Sequence, residues 1–330
     1  TLFRSGQTAQ PGAAERGDWT YYGADARNWR YKPFDQINAQ NFGTLQVAWR
    51  FRTDNLGPNL DFRLGATAIE ANGVVYVNGG GMRRSVAAVD ASNGTLLWVH
   101  TEDEGHRAEF APRVTSGRGV SYWTDGKEER IIYVTTGYRL VSLNAKTGQP
   151  IASFGTNGVL DLKVGVVIGK DKQLDLEKGE IGLHSTPTVV NDTIIVGSSM
   201  FEGLGYRYST NAKGLVRAFD VKTGKQIWRF NTIPGPGEFG NDTLENGSWE
   251  WTGNVGVWTH ISADPEADVT YPRSKESRGF SRRAELARLR GSAEQAPLYA
   301  GDAARSRRAE PARLRGPAEQ APLYAGVGAR

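Results

Sequence analysis

Side chains able to act as nucleophiles, general bases or metal ligands are few and scattered in this chain. The 330 residues contain no Cys and four His, which excludes disulfide scaffolds, thiolate metal sites, cysteine nucleophiles and covalently attached haem. His100 and His106 lie close to Glu102, Asp103 and Glu104, but the absence of an HExxH spacing argues against a zinc hydrolase. No P-loop or GxGxxG motif joins a strand to a helix. No familiar catalytic motif therefore identifies the reaction of this protein.

Positive charge is concentrated at one end of the chain. Residues 278–330 contain 11 Arg, no Lys and five acidic residues, whereas the net charge of the whole chain is +4. The preceding residues therefore carry a net charge of −2, and a basic nucleic-acid-binding face on the main body is not supported. No run of 18 apolar residues occurs, so no segment is expected to span a membrane.

The sequence divides into three regions. Residues 1–17 are small and polar, and are interpreted as the remnant of an export leader that is disordered. Residues 18–268 contain all nine Trp and are predicted to form strands throughout. Residues 269–330 form a low-complexity tail in which residues 281–305 and 306–330 are tandem copies, identical at 21 of 25 positions.

The tail is interpreted as an aberrant stretch, read out of frame and without a selected fold. Two copies are too few to stack a solenoid core, and near-identity at exposed positions is typical of a recent duplication. A disordered basic arm and short helices around residues 284–290 are the alternatives. Nucleic-acid binding is not expected, because only Phe280, Tyr299 and Tyr324 could stack on bases.

A weaker repeat runs through the middle region. An Asp or Asn is followed four residues later by Gly and, after four or more further residues, by an aromatic residue. The three copies are Asp90–Gly94–Trp98, Asn144–Gly148–Phe154 and Asp220–Gly224–Trp228. Each copy follows a β-branched strand, at residues 74–77, 131–136 and 193–197, and residues 45–51 resemble the last strand of a preceding unit.

The repeat predicts a β-propeller. The Asp or Asn side chain can accept hydrogen bonds from the turn, Gly supplies the positive φ, and the aromatic ring can pack between neighbouring units. A unit of about 50–60 residues with several short strands has the size of one propeller blade. An ordinary antiparallel sandwich is the alternative.

This repeat resembles the tryptophan-docking motif of dehydrogenases that use pyrroloquinoline quinone (PQQ). Strings similar to those of the family follow in the family's order between residues 18 and 266: DWTYYG (18–23), QIN (36–38), SGRGVSYW (116–123), TIPGPGEFG (232–240) and GNVGVW (253–258). The likeness is greater to the glucose- or sugar-oxidising branch, since the alcohol branch has an adjacent Cys pair over its cofactor. The resemblance implies an eight-bladed β-propeller, of which about four blades are present in residues 18–268.

The resemblance also implies a cofactor site. Arg118 matches an arginine that pairs with the acidic groups of the quinone, and Glu202 matches a ligand of calcium or another divalent cation. His184 and Ser199 match cofactor-contacting residues, and Trp258 matches the floor on which the quinone stacks. The alternatives are structural roles: a surface Arg, a solvated Glu, a core His and a blade-docking Trp.

The implied activity is oxidation of an aldose sugar (glucose-like) or an alcohol by hydride transfer to the quinone. The resemblance places it in the periplasm, although no export signal is visible, with electrons passing to an external quinone or cytochrome c. The family's catalytic base lies beyond the matching residues, so no catalytic residue is assigned and the chain as written is expected to be inactive. The alternative is a non-enzymatic propeller scaffold of the outer-membrane assembly type, which would not need Arg118, Glu202 and Trp258.

Overall fold

The computed structural model describes residues 17–56, 66–79, 85–112, 119–201 and 211–265, together with the backbone of short strands at residues 2–4, 269–271 and 287–288. All of these residues belong to the first of two compact units, residues 1–291. The greater part of the predicted leader and tail therefore lies outside the described residues.

Antiparallel strands dominate the described chain. Strands β1 (Leu2–Arg4) and β2 (Gln46–Trp49) pair with each other. Sheet 1 contains β3 (Ile69–Ala71), β4 (Val74–Gly79), β5 (Ser85–Asp90) and β6 (Leu96–His100). Sheet 2 contains β7 (Ser121–Thr124), β8 (Glu129–Val134), β9 (Arg139–Asn144) and β10 (Val159–Asp161).

A short hairpin of β11 (Val167–Ile168) and β12 (Lys172–Gln173) separates sheet 2 from sheet 3. Sheet 3 contains β13 (Thr188–Val190), β14 (Thr193–Val196), β15 (Leu215–Asp220) and β16 (Gln226–Asn231). Strands β17 (Ser262–Asp264), β18 (Val269–Tyr271) and β19 (Ala287–Arg288) form a further sheet. The 3₁₀ helices are Phe42–Thr44, Asp54–Leu56, Arg107–Phe110, Asn241–Thr243 and Glu245–Glu250.

Sheets 1, 2 and 3 are simple up-and-down sheets whose strands pair in chain order. Their first strands are neighbours in space, β3 beside β7, β7 beside β13, and β13 beside β17. The fourth strands β6 and β16 are largely exposed, whereas the second and third strands are almost entirely buried. Sheets whose first strands meet while their fourth strands face solvent are blades of a β-propeller, so the predicted fold is confirmed.

The alternation of side chains along β8 explains why the sheets stack. Ile131 and Tyr133 belong to the core shared with sheet 1, whereas Ile132 and Val134 belong to the core shared with sheet 3. Successive side chains of a strand point to opposite faces, so the continuous run of buried Ile, Tyr and Val side chains at 131–134 fits only between two layers. Sheet 2 is therefore an interior blade.

The aromatic residues of the repeat join each blade to the next. The indole Nε1 of Trp49 donates to Ala91 O at 2.9 Å, and that of Trp98 donates to Ala145 O at 3.0 Å. Phe154 occupies the same place against Gly224, where a Cβ would fall 3.3 Å from its ring. Trp228 is the corresponding residue of sheet 3, and its buried Nε1 has no hydrogen-bond partner among the described residues.

No helix in the described part of the chain is long and apolar enough to cross a bilayer.

Candidate functional site

The predicted site residues that the structure describes lie on connections at one edge of the sheets. In an up-and-down sheet the chain enters the first strand at the same edge at which it leaves the second. His184 precedes β13, Ser199 follows β14, and Trp258 precedes β17. The docking turns lie at the opposite edge, so the repeat and the site occupy different ends of the blades.

His184 and Ser199 are in contact. The Nε2 atom of His184 lies 3.4 Å from Ser199 Oγ, and both residues are buried. A pair of backbone hydrogen bonds holds their two connections together, from Gly182 N to Ser199 O at 3.0 Å and from Ser199 N to Gly182 O at 2.7 Å. Two polar side chains that are 15 positions apart in sequence are therefore held next to each other.

The segment that carries Trp258 is packed tightly against sheet 3. Ser198 N donates to Val257 O at 3.0 Å, and a Cβ on Gly214 would overlap the carbonyl oxygen of Val255. This places Trp258 beside the connection that contains Ser199. The Nε1 atom of Trp258 is buried and has no hydrogen-bond partner among the described residues.

Arg118 and Glu202 lie outside the described residues, so their predicted roles stay predictions. Gly119 is described, and a Cβ on it would fall 2.9 Å from Thr67 O and 3.5 Å from Thr186 Oγ1. The residue after Arg118 therefore lies against the connection that carries His184. Within the described ranges, no group of three or more His, Asp or Glu side chains is arranged to hold a metal ion.

The sequence did not single out the turn after β8 as part of this edge. Tyr138, in this turn, donates from its Oη to Gly197 O at 2.7 Å, and burial raises the pKa of its phenol. Glu104 accepts from Gly137 N at 2.8 Å, and Arg107 Nε donates to Gly137 O at 2.9 Å. The only sequence signal was the acidic and His-containing loop around Glu104, which by itself indicated no structural role.

Three of the buried polar atoms that lack a hydrogen-bond partner among the described residues lie at this edge. They are Asn78 Oδ1 at the end of β4, Thr136 Oγ1 after β8, and Trp258 Nε1. Such atoms are costly to bury unless a ligand or an ordered water satisfies them. A planar ligand rich in oxygen and nitrogen, as PQQ is, fits this set of groups together with the face of an indole ring.

Curated relatives of this chain are quinoprotein dehydrogenases. The alcohol dehydrogenase (quinone), dehydrogenase subunit, of Gluconobacter oxydans is 31% identical over 80% of this chain and 33% of its own length. The quinoprotein glucose dehydrogenase of the same organism is 29% identical over 74% of this chain and 31% of its own length. The chain thus spans about a third of the length of the curated relatives it matches.

Solved structures agree with the propeller. A quinohemoprotein alcohol dehydrogenase from Pseudomonas putida is 28% identical with a TM-score of 0.58, over 78% of this chain and 34% of its own. A europium-containing methanol dehydrogenase has a TM-score of 0.60 at 24% identity, over 78% of this chain and 42% of its own, and shows the fold alone. Residues 19–279 match the family described as PQQ: glucose/ethanol/alcohol dehydrogenase, β-propeller domain. These matches favour the dehydrogenase hypothesis over the scaffold alternative, and the chain belongs to the PQQ-dependent dehydrogenase family.

Proposed function

We propose that this chain forms part of a PQQ site in a periplasmic dehydrogenase that oxidises an aldose sugar or an alcohol. The observation that carries the proposal is the contact between His184 and Ser199 beside the segment that ends in Trp258. Three residues that the family resemblance singled out, at separate places in the sequence, lie at one edge of the blades. Purely structural roles for all three give no reason for this convergence.

Each residue contributes one interaction to the proposed site. The indole face of Trp258 stacks on the planar ring system, while His184 and Ser199 hydrogen-bond its polar edge. Arg118 supplies a permanently charged fork for the carboxylates of the quinone, and Glu202 supplies an oxygen ligand for calcium or a similar cation. PQQ, when bound, accepts the hydride from the substrate carbon.

The substrate is proposed to be a sugar and not an alcohol. Relatives include both alcohol and glucose dehydrogenases, and the absence of Cys removes the Cys pair of the alcohol branch. This favours a sugar substrate. Electrons would leave to an external acceptor, a quinone or cytochrome c.

Equilibrium dialysis of the full 330-residue chain against PQQ, with and without calcium, tests the cofactor site. We expect saturable binding that calcium strengthens. Trp258→Ala should weaken binding about tenfold or more, because the stacking surface is lost. Trp228→Ala is the matched control, since it removes the same kind of ring from the docking position on an outer strand.

The control separates cofactor binding from stability. Equal losses of affinity in the two variants would assign the effect to unfolding and overturn the role of Trp258. Absence of saturable binding by the unsubstituted chain in calcium would overturn the cofactor site itself. The chain on its own is expected to be inactive, so oxidation of glucose or ethanol by it, in the presence of PQQ and an artificial electron acceptor, would overturn that expectation and would identify the substrate class.

A further inference from the structure

Tyr138 connects the turn after β8 to the connection that carries Ser199. Its side chain is fully buried and its backbone has φ of +68°, in the left-handed region that non-glycine residues rarely adopt. The phenol Oη donates to Gly197 O at 2.7 Å. Gly197 lies two residues before Ser199, so a side chain of sheet 2 fixes the backbone that leads to the His184–Ser199 pair.

Buried charged groups hold the peptide just before Tyr138 from both sides. Glu104 Oε2 accepts from Gly137 N at 2.8 Å, and its other oxygen accepts from Thr135 Oγ1. Arg107 Nε donates to Gly137 O at 2.9 Å, and its guanidinium also pairs with Asp161. Glu104 and Arg107 are 6% and 2% exposed, so these hydrogen bonds form where water competes little. They stabilise the turn in which Tyr138 adopts its left-handed backbone.

The connection after β14 is also held by hydrogen bonds to sheet 3 and to the segment that carries Trp258. Ser198 Oγ donates to Leu215 O and accepts from Leu215 N, both at 3.0 Å, and Ser198 N donates to Val257 O. These contacts fix Ser198 laterally against sheet 3 and the Trp258 segment. Tyr138 supplies the contact from the neighbouring blade.

We propose that Tyr138 is a positioning residue for the cofactor site, and that Glu104 and Arg107 hold it in place. By binding Gly197 O, Tyr138 sets the position of Ser199 Oγ relative to His184 Nε2. The proposal rests on the proposed function, because it assigns the pair a ligand to contact. The phenol is suited to the role, since burial raises its pKa and it stays a hydrogen-bond donor at neutral pH.

Tyr76 offers a matched control in the same fold. It is 1% exposed, and its Oη donates to a backbone carbonyl of the next blade, Ala145 O, at 3.2 Å. The contact is chemically the same as that of Tyr138 but lies at the docking edge of the sheets. Tyr138→Phe and Tyr76→Phe each remove one hydroxyl and leave the ring in place, so both should lower stability to a similar degree.

The experiment compares the full chain with these two variants by PQQ dialysis and by NMR of the histidine rings. The chain has only four His, which makes the ring signals of His184 assignable with a His184→Gln variant. We expect Tyr138→Phe to raise the Kd for PQQ about threefold to tenfold, the range that loss of one hydrogen bond supports. It should also shift the His184 ring signals in the absence of PQQ, whereas Tyr76→Phe should change neither.

Glu104→Gln provides a second, independent disturbance of the same turn and should shift the His184 signals in the same way. Unchanged His184 signals and an unchanged Kd in both Tyr138→Phe and Glu104→Gln would overturn the proposal. Equal changes in Tyr138→Phe and Tyr76→Phe would also overturn it, because they would indicate a general loss of stability. If the unsubstituted chain failed to bind PQQ, the proposed function would fail, and the His184 signals would still decide whether Tyr138 positions the pair.

Discussion

The indole ring of Trp98 lies directly over Gly148, the glycine that closes the turn between β9 and the following segment. A Cβ on Gly148 would fall 2.6 Å from the ring, and the ring Nε1 donates to Ala145 O in the same turn at 3.0 Å. The turn is closed by backbone and Asn144 side-chain hydrogen bonds. The contact therefore joins the outer strand of one blade to the outer turn of the next and uses both the ring face and the ring nitrogen.

Gly148→Ala should destabilise the protein more than Gly126→Ala. Both glycines have positive φ, +70° and +86°, but only Gly148 has a ring against its α-carbon, since a Cβ on Gly126 would meet nothing within 4 Å. Both variants incur the cost of an L-residue in the left-handed region, about 1 kcal/mol. Displacement of the Trp98 ring should add about 1–3 kcal/mol to the cost of Gly148→Ala. Urea unfolding of the two variants measures the difference, and equal free energies of unfolding would contradict a tight docking contact.

Trp228→Phe should cost less stability than Trp98→Phe. The Nε1 atom of Trp98 makes a hydrogen bond whose loss should cost about 1 kcal/mol. The Nε1 atom of Trp228 is buried without a partner among the described residues, so its removal relieves an unfavourable burial and should be neutral or stabilising. Thermal unfolding of both variants provides the comparison. An equal loss in the two would mean that Trp228 donates to an acceptor outside the described residues.

The blade contacts could be predicted from sequence because each depends on residues close together in the chain. An Asp or Asn, a Gly four positions later and an aromatic residue thereafter define the turn and its docking ring, and Trp98 and Phe154 both lie where the pattern places them. The β-branched strands predicted at 74–77 and 193–197 form as β4 (Val74–Gly79) and β14 (Thr193–Val196). In each case the local pattern determines the turn, and the apolar faces then determine the stacking.

The candidate site was predictable only as far as its strings resembled a known family. Nothing in the spacing of His184 and Ser199 predicts their contact, because it depends on the pairing of Gly182 with Ser199 across two connections. The role of Tyr138 was missed for the same reason, since its partner Gly197 is 59 residues away. Contacts of this kind depend on how one blade is placed against the next, which no local pattern encodes.

Arg130→Lys should be clearly destabilising, although the charge is kept. The guanidinium is buried, and its NH1 group donates to Val221 O at 2.9 Å and Lys222 O at 3.0 Å in the adjacent blade. A lysine cannot reproduce this fork, and leaving the buried Val221 carbonyl and the partly buried Lys222 carbonyl poorly satisfied should cost about 2 kcal/mol.

Arg52→Lys is the control for Arg130→Lys. Arg52 pairs with Asp54, but its side chain is 80% exposed, so the same substitution there should change stability by less than about 0.5 kcal/mol. Chemical unfolding of both variants at neutral pH measures the two costs. A loss at Arg130 no greater than that at Arg52 would show that the inter-blade carbonyls find other donors.

Glu129→Gln should destabilise the protein at neutral pH and much less in acid. Burial raises the pKa of the Glu129 carboxyl, but hydrogen bonds from Lys146, Tyr122 and Asn72 outweigh it, so the net pKa lies below its ordinary value. A carboxyl whose pKa is lowered by folding stabilises the native state above the unfolded-state pKa, and this contribution is lost as pH falls through the lower, native value. At pH 7 the variant should lose about 1 kcal/mol, a modest figure because the exposed Lys146 is screened by solvent.

The pH window distinguishes this effect from a general packing defect. Below the ordinary glutamate pKa of 4.5 the difference between the native protein and Glu129→Gln should shrink steadily as Glu129 itself becomes protonated. Glu245→Gln, at an exposed position, should show no difference at any pH. A destabilisation by Glu129→Gln that stayed constant from pH 7 to pH 3 would show that the hydrogen bonds to Glu129 do not depend on its charge. Loss of the difference in acid would instead show that the ionised carboxylate, in addition to the direct hydrogen bond from Asn72 to Tyr122, joins sheet 1 to sheet 2.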